Sequence, residues 1–114
     1  METVPQDTFW IAQDNVFLGR ISLRQRFNKV LEIHGGHVGY EIREACRDQG
    51  IGTQALKLVR DYAATKGMDK LLLTCNVDNL ASERVILKNG GIYERTQEAI
   101  YGYNAVKRFW VPTI

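Results

Sequence analysis

The sequence predicts an α/β (α+β) fold with a mixed, mostly antiparallel central sheet and two main helices. Three observations lead to this prediction. Strand-like runs stand near both ends of the chain, a helical period of apolar residues covers residues 53–66, and a continuous apolar run follows at residues 71–73. At 114 residues and 45% hydrophobic composition, residues 1–114 are expected to form a single domain.

The first part of the chain predicts antiparallel strands. Residues 8–12 are β-branched and aromatic, residues 13–15 supply turn-forming side chains, and residues 16–23 form a second run, which together predict a hairpin. A short run at residues 30–33 then leads through two glycines into an alternating run at residues 37–43. This alternation predicts a strand with one face in the core.

The second part of the chain predicts a strand between two helices. The helix over residues 53–66 ends at Gly67, and the apolar strand within residues 70–75 is expected to be covered on both faces. Strand, helix and strand should therefore form a right-handed parallel unit. Asn79 is suited to cap a second helix that extends to about Lys88. Closing strands are predicted at residues 92–94, 100–103 and 106–111.

The loop before the first helix, Arg47-Asp48-Gln49-Gly50-Ile51-Gly52-Thr53, predicts an anion site. Two glycines at a helix N-terminus let backbone N–H groups converge, and the helix dipole adds partial positive charge. A P-loop is excluded because no Gly-Lys-Ser/Thr follows. The sequence of residues 50–55 matches the G-x-G-x-x-A dinucleotide fingerprint, but six residues separate it from the preceding strand. The chain is also too short for two nucleotide-binding halves. Two alternatives stay open: an R-x-x-G-x-G pyrophosphate loop, and an ordinary glycine-rich turn.

With its downstream motifs, this loop resembles the coenzyme A pyrophosphate loop of the GNAT acyltransferase superfamily. The matching residues are Arg47, Gly50 and Gly52, followed by the Asn-x-x-Ser of Asn79 and Ser82 and by the Lys-Asn-Gly-Gly at residues 88–91. The resemblance implies an N-acetyltransferase that transfers an acetyl group from acetyl-CoA directly to a primary amine of a small molecule or peptide, without a metal. It also implies coenzyme contacts from Ile42, Arg47, Gln49, Gly50, Ile51, Gly52, Thr53, Asn79 and Ser82.

The catalytic groups are less well defined by the sequence. Glu41, His34 and His37 are the candidates for a general base, and Glu41 is preferred because it lies in the strand beside the expected coenzyme. The alternative for Glu41 is a strand carboxylate paired with a nearby arginine. Ile86 stands where the family often has a tyrosine. A second functional hypothesis is therefore a catalytically impaired acyl-CoA-binding or scaffolding module of the same fold.

Two other departures from the family pattern affect the expected site. Glu44 replaces a usual proline near the anion loop, and the chain is expected to lack the N-terminal strand and helices that line the acceptor site. Aromatic residues near both ends leave two interpretations open, a homodimer interface or core packing. They are Phe9, Trp10, Phe109 and Trp110.

Composition and charge indicate which classes of partner and which cellular compartment to expect. A net charge of +2 does not indicate a nucleic-acid-binding protein. Arg20, Arg24 and Arg26 share one strand parity, which indicates a solvated edge or, alternatively, a grip on an acidic acceptor or a coenzyme phosphate. Cys46 and Cys75 form no paired motif and are expected to be incidental thiols in a reducing compartment. We expect a cytoplasmic protein with no membrane segment and no signal peptide.

Overall fold

The computed structural model describes residues 6–26, 32, 35–43, 50–100 and 102–113. Two helices and six strands are present in this part of the chain, which confirms the predicted α/β (α+β) class with two main helices and mostly antiparallel strands. The elements are β1 (Gln6–Gln13), β2 (Val16–Arg24), β3 (Val38–Ile42), α1 (Ile51–Thr65), β4 (Lys70–Asn76), α2 (Leu80–Lys88), β5 (Ile92–Gln97) and β6 (Val106–Pro112).

The strands form two three-stranded antiparallel sheets instead of one mixed sheet. The first has the order β1-β2-β3 and the second the order β4-β6-β5. Among the described residues no strand ladder joins β3 to β4, so the predicted parallel pairing of these strands is wrong. The sheets meet next to the start of β3, where His37 N donates to Leu72 O at 2.7 Å and Leu72 N donates to His37 Nδ1 at 2.8 Å.

The first hairpin turns at Asp14 and Asn15, whose φ angles of 52° and 65° are both left-handed. Asn and Asp tolerate this conformation, and two left-handed residues match the twist of a two-residue hairpin. β2 lies between β1 and β3, so the interpretation of its arginines as a solvated edge is wrong. Ser22, between Arg20 and Arg24, is buried and contacts Thr8 Oγ1 at 3.1 Å.

The core lies between the sheets and α1. Leu71, Leu72 and Leu73 are at most 1% exposed, which confirms a strand covered on both faces. Four α1 residues share the buried face of that helix, namely Ala55, Leu56, Val59 and Ala63. The end of α2 joins this core through Ile86, which is fully buried.

The aromatic residues divide between core and surface. Phe109 is buried in the core, and Phe9 packs against the ring of Tyr62 with centroids 5.0 Å apart. Trp10 is 68% exposed and contacts Phe17. Trp110 donates its indole N–H to Glu94. Core packing therefore accounts for Phe9 and Phe109. It does not account for Trp10, which is exposed.

Two expectations about the later and middle segments need comment. The strand predicted at residues 100–103 is wrong: Ile100 and Tyr103 form an isolated bridge around a turn. Of the run predicted at residues 30–33, all but residue 32 lies outside the described residues. In the described residues, neither helix is long and apolar enough to cross a membrane.

Candidate functional site

An open cleft of about 640 Å³ lies where β3 and β4 separate. Residues 38–42 of β3 form one wall and residues 74–76 of β4 another, while the starts of α1 and α2 enclose the cleft between them. The cleft exists because β3 and β4 are bridged next to the start of β3, at His37, and carry no ladder along the rest of their length. The predicted coenzyme-contacting residues that the structure describes all lie here, namely Ile42, Gly50, Ile51, Gly52, Thr53, Asn79 and Ser82.

The start of α1 opens into this cleft without a side-chain cap. Gly50 is the N-cap residue with φ of 76°, a left-handed conformation that glycine adopts without strain. Its carbonyl accepts from Gln54 N at 3.1 Å, so the N–H groups before Gln54 have no intrahelical partner. These N–H groups and the helix dipole favour an anion. Arg47 and Gln49, predicted for the same anion, lie outside the described residues.

The start of α1 is held close to α2. A Cβ atom on Gly52 would lie 3.3 Å from Val85 Cγ2, which is tighter than most real contacts. The buried Asn89 donates from Nδ2 to Thr53 O at 3.2 Å and to Val85 O at 3.1 Å. These contacts fix the start of α1 against the neighbouring helix.

The start of α2 is capped by its own side chain. Asn79 Oδ1 accepts from Ser82 N at 3.1 Å, which confirms the predicted cap. Asn79 and Ser82 both line the cleft, as expected for ligand contacts. The helix ends with Gly91 N donating to Ile86 O and Gly90 N donating to Leu87 O, both at 3.0 Å. This closing pattern explains the glycine pair in the sequence.

Two candidate bases are described, and their surroundings differ. Glu41 lines the cleft, its side chain is 68% exposed, and it pairs with Arg20 at 3.4 Å. His37 Nδ1 accepts from Leu72 N, so the neutral ring carries its proton on Nε2 and can take another only by breaking this hydrogen bond. Burial lowers the pKa of His37 to about 4. His37 is therefore a bridge between the sheets, and His34 lies outside the described residues.

Ile86 occupies the α2 position at which the resembled family often has tyrosine, and it is wholly inside the core. A Cβ atom on Gly91 would lie 2.5 Å from Ile86 Cγ2, which shows how little room remains around this side chain. The cleft obtains hydroxyl groups from other residues.

Tyr40 brings a phenol into the cleft from β3, which the sequence analysis did not predict. Its hydroxyl lies 2.6 Å from Ser82 Oγ, so a strand and a helix are joined across the cleft. Burial raises the pKa of Tyr40, opposed by the Ser82 contact. The signal in the sequence was the shared parity of Tyr40 with the buried Val38 and Ile42, which places the ring inward.

Three cationic side chains line the cleft, and of these only Arg24 was named from the sequence, as a grip on an acidic acceptor or a coenzyme phosphate. Arg84 and Lys88 are exposed on α2 and line the cleft, four residues apart on one helix face. Arg24 reaches the cleft from β2 and donates to Gly35 O and Gly36 O, each at 3.4 Å. Spacing alone would have found the α2 pair, whereas the position of Arg24 depends on strand packing.

The remaining reactive groups are accounted for by burial. Cys75 is buried and lines the cleft, and desolvation raises the pKa of its thiol, which disfavours the thiolate needed of an acyl carrier. Cys46 lies outside the described residues. Where side chains are described, no group of three or more His, Cys, Asp or Glu residues is placed to hold a metal ion.

The cleft fits an anionic ligand with an extended tail. The uncapped α1 start and the α2 cations stand at one end, and the cleft continues along β3 towards Val38. Acetyl-coenzyme A has this form, with its phosphates followed by a long polar chain. The residues present therefore fit the cosubstrate that the sequence led us to expect.

Comparisons with known proteins agree with this fit. Residues 3–92 match the model of the acetyltransferase (GNAT) domain. The ribosomal-protein-serine acetyltransferase of Escherichia coli (strain K12) is 36% identical over 89 residues, which cover 75% of this chain and 47% of that relative. The chain thus spans about half the length of the curated relative it matches.

Solved structures show the same fold. The ribosomal L7/L12 alpha-N-protein acetyltransferase RimL, in complex with coenzyme A, aligns with a TM-score of 0.73 and 25% identity over 94% of this chain and 62% of that chain. A mutant of the spermidine N-acetyltransferase SpeG from Vibrio cholerae aligns with a TM-score of 0.75 and 19% identity, covering 95% of this chain and 66% of that chain.

Proposed function

Because the chain belongs to the GNAT acetyltransferase family, we propose that it is an N-acetyltransferase that transfers the acetyl group of acetyl-coenzyme A directly to a primary amine. The observation that carries this proposal is the uncapped N-terminus of α1 at Gly50, which opens into a cleft that Arg84 and Lys88 also line. N–H groups without an intrahelical partner, a helix dipole and two cations suit the phosphates of the coenzyme. The cleft along β3 then receives its chain.

The first test is calorimetric titration with acetyl-coenzyme A, using Thr53→Glu as the disrupting variant. Thr53 lines the cleft in the first turn of α1, so a carboxylate there should repel the phosphates and weaken binding roughly tenfold or more. Gln54→Glu is the matched control, because Gln54 is exposed, adjacent in sequence and not part of the cleft. A folded parent that does not bind acetyl-coenzyme A would overturn the proposal.

Turnover is tested by release of the coenzyme thiol in the presence of amines. The relatives suggest two acceptors to try first, a peptide that begins with serine and spermidine. Holding thioester and amine side by side supplies rate by proximity, provided that the amine arrives neutral.

We propose Glu41 as the base that removes the proton from the amine. Its carboxylate lines the cleft and is open to solvent, so an incoming ammonium group can reach it, with Arg20 as the competing partner. Glu41→Gln should lower the rate of thiol release roughly a hundredfold without changing affinity for acetyl-coenzyme A. Glu98→Gln, at an exposed site outside the cleft, is the control. An unchanged rate in Glu41→Gln would remove Glu41 from the mechanism.

A second candidate function is an acyl-coenzyme A-binding or scaffolding module. Ile86 favours this second function, because an apolar core residue stands at the position where the family often has tyrosine. The two functions predict the same binding and differ in turnover. Acetyl-coenzyme A binding with no thiol release from any amine of the panel would favour the module.

A further inference from the structure

Arg24 is a charged side chain of the cleft that the proposed function does not use. It is partly buried, and burial lowers the pKa of its guanidinium group. Its hydrogen bonds to described residues go to neutral oxygens at long distances, to Gln6 Oε1 at 3.3 Å and to Gly35 O and Gly36 O at 3.4 Å each. Within the described part of the chain, no ion pair joins Arg24 to a carboxylate. Such a cation gains from an anionic ligand.

The guanidinium group of Arg24 lies over Gly39. A Cβ atom on Gly39 would lie 3.0 Å from Arg24 Nη2 and 3.5 Å from Nη1, so a residue with a side chain there would take the room that the arginine occupies. Both residues line the cleft. Arg24 therefore brings a positive charge to the cleft beside β3.

Arg24 and Glu41 lie on the same face of the first sheet. Arg20 pairs with Glu41 across β2 and β3, and directly paired residues share a face of an antiparallel sheet. Arg24 stands four residues after Arg20 in β2, so it has the same parity and the same face. Tyr40 and Ile42, with the opposite parity to Glu41, lie on the other face.

The start of α1 lies on the Tyr40 face. A Cβ atom on Gly52, in the first turn of α1, would lie 3.8 Å from the ring of Tyr40 and 3.9 Å from Ile42. In the described sheet β3 is an edge strand, so the cleft passes its edge and is lined by residues of both faces. A second ligand can therefore reach the cleft on the face of Glu41 while acetyl-coenzyme A is held from α1.

The spacing of Glu41 and Arg24 suits a small ligand with two charges. The guanidinium group lies over Gly39, two residues before Glu41, and two residues of a strand span roughly 7 Å. Hydrogen bonds at both ends take up about 2.8 Å each. The amine and the carboxylate of one ligand must therefore be only a few bonds apart, as in an amino acid.

The charges of the cleft disfavour a polyamine. Among the described residues that line it, Arg24, Arg84 and Lys88 are cationic and only Glu41 is acidic. A polyamine would bring several positive charges near these cations, and like charges repel. A ligand with one amine and one carboxylate has a partner of opposite charge for each group.

We propose that Arg24 binds a carboxylate of the acceptor, so that the acceptor is a primary amine with a carboxylate close to it. This inference rests on the proposed acetyl transfer and names its substrate class. Arg24 orients the acceptor and takes no part in making or breaking bonds. The carboxylate belongs either to a free amino acid or to an acidic residue at the N-terminus of a peptide.

The test compares acids with their amides in thiol release, using glycine with glycinamide and β-alanine with β-alaninamide. The parent should prefer the acids at least about tenfold in kcat/KM, because a hydrogen bond between two charged groups is stronger than one to a neutral amide. The amides have the less basic amines, so amine basicity cannot produce this preference. Aspartic acid α-amide, whose only carboxylate is in its side chain, distinguishes a peptide N-terminus from a free amino acid.

Arg24→Gln should lower kcat/KM for the acids roughly tenfold to a hundredfold and leave that for the amides nearly unchanged. A purely structural role of Arg24 would lower the values for acids and amides alike. Arg24→Lys keeps the charge without the planar fork and should keep part of the preference. Arg26→Gln is the matched control, because Arg26 is exposed, two residues along the chain and outside the cleft.

Binding gives a readout that needs no turnover. N-Acetylglycine, titrated into the coenzyme A complex, should bind Arg24→Gln roughly tenfold or more weakly than the parent, with no such difference for N-acetylglycinamide. Equal affinity of the parent and Arg24→Gln for N-acetylglycine, or equal rates of the parent with acids and amides, would overturn the role of Arg24 and leave acetyl transfer standing. A parent that binds no acetyl-coenzyme A would overturn both.

Discussion

The two helices that border the cleft begin in opposite ways. α2 begins with Asn79, whose side chain accepts from Ser82 N, whereas α1 begins with Gly50 and has no side-chain cap. The first turn of α2 also contains Glu83, which suits the helix dipole, and the first turn of α1 contains no acidic residue. Among the described residues, the start of α2 is capped by a side chain and the start of α1 is not. The difference teaches that a helix start without a side-chain cap is the more favourable place for an anion.

The largest expected change in stability comes from neither helix start. It comes from His37, which joins the two sheets. The pKa of folded His37 is about 4, below its ordinary value of 6.5. Between these values the unfolded chain binds a proton that the folded protein does not. The contribution of the neutral His37 to the free energy of unfolding is therefore complete above pH 6.5 and is lost as the pH falls towards 4. The ring is partly exposed, so screening reduces the effect to roughly 1 to 2 kcal/mol.

Urea unfolding at several pH values measures this contribution, with His37→Gln as the control. The glutamine oxygen can accept from Leu72 N but does not titrate, so the variant should lose part of the pH dependence. Equal pH dependence in parent and variant would contradict the assignment to His37.

The second prediction tests the satisfied helix start. Asn79→Ala should lower the free energy of unfolding by about 1 kcal/mol, because Ser82 N loses its acceptor. Asn79→Asp keeps an acceptor oxygen at the cap and should be near neutral. Chemical denaturation of the three proteins makes the comparison. If Asn79→Ala were as stable as the parent, the cap would contribute nothing to the free energy of unfolding.

The smallest expected change in stability comes from Thr53→Glu, which should raise stability while it weakens ligand binding. Thr53→Glu places a negative charge in the uncapped first turn of α1 and should stabilise the ligand-free protein by roughly 0.3 to 1 kcal/mol. The same substitution should weaken acetyl-coenzyme A binding. Thermal unfolding with and without the ligand measures both. A variant that is destabilised without ligand and binds normally would break the contrast between the two helix starts.

Local patterns determined a large part of this protein. The helical period predicted α1 to within two residues at its start, and Asn79 with Gly90 marked both ends of α2. These predictions succeed because caps, glycine conformations and side-chain periodicity act over only a few residues. The glycine loop and the Asn-x-x-Ser motif indicated for the same reason residues that line the cleft.

Tertiary structure decided what depends on contacts between distant segments. The absence of a ladder between β3 and β4, which opens the cleft, follows from how the two sheets meet at His37 and Leu72, and no local pattern encodes that junction. The bond from Tyr40 to Ser82 joins residues 42 positions apart, and the burial of Ile86 depends on the packing of α2 against the core. The sequence by itself determined that one helix starts at Gly50 and the other at Asn79, and packing decided that the hydroxyl groups of Tyr40 and Ser82 meet beside them.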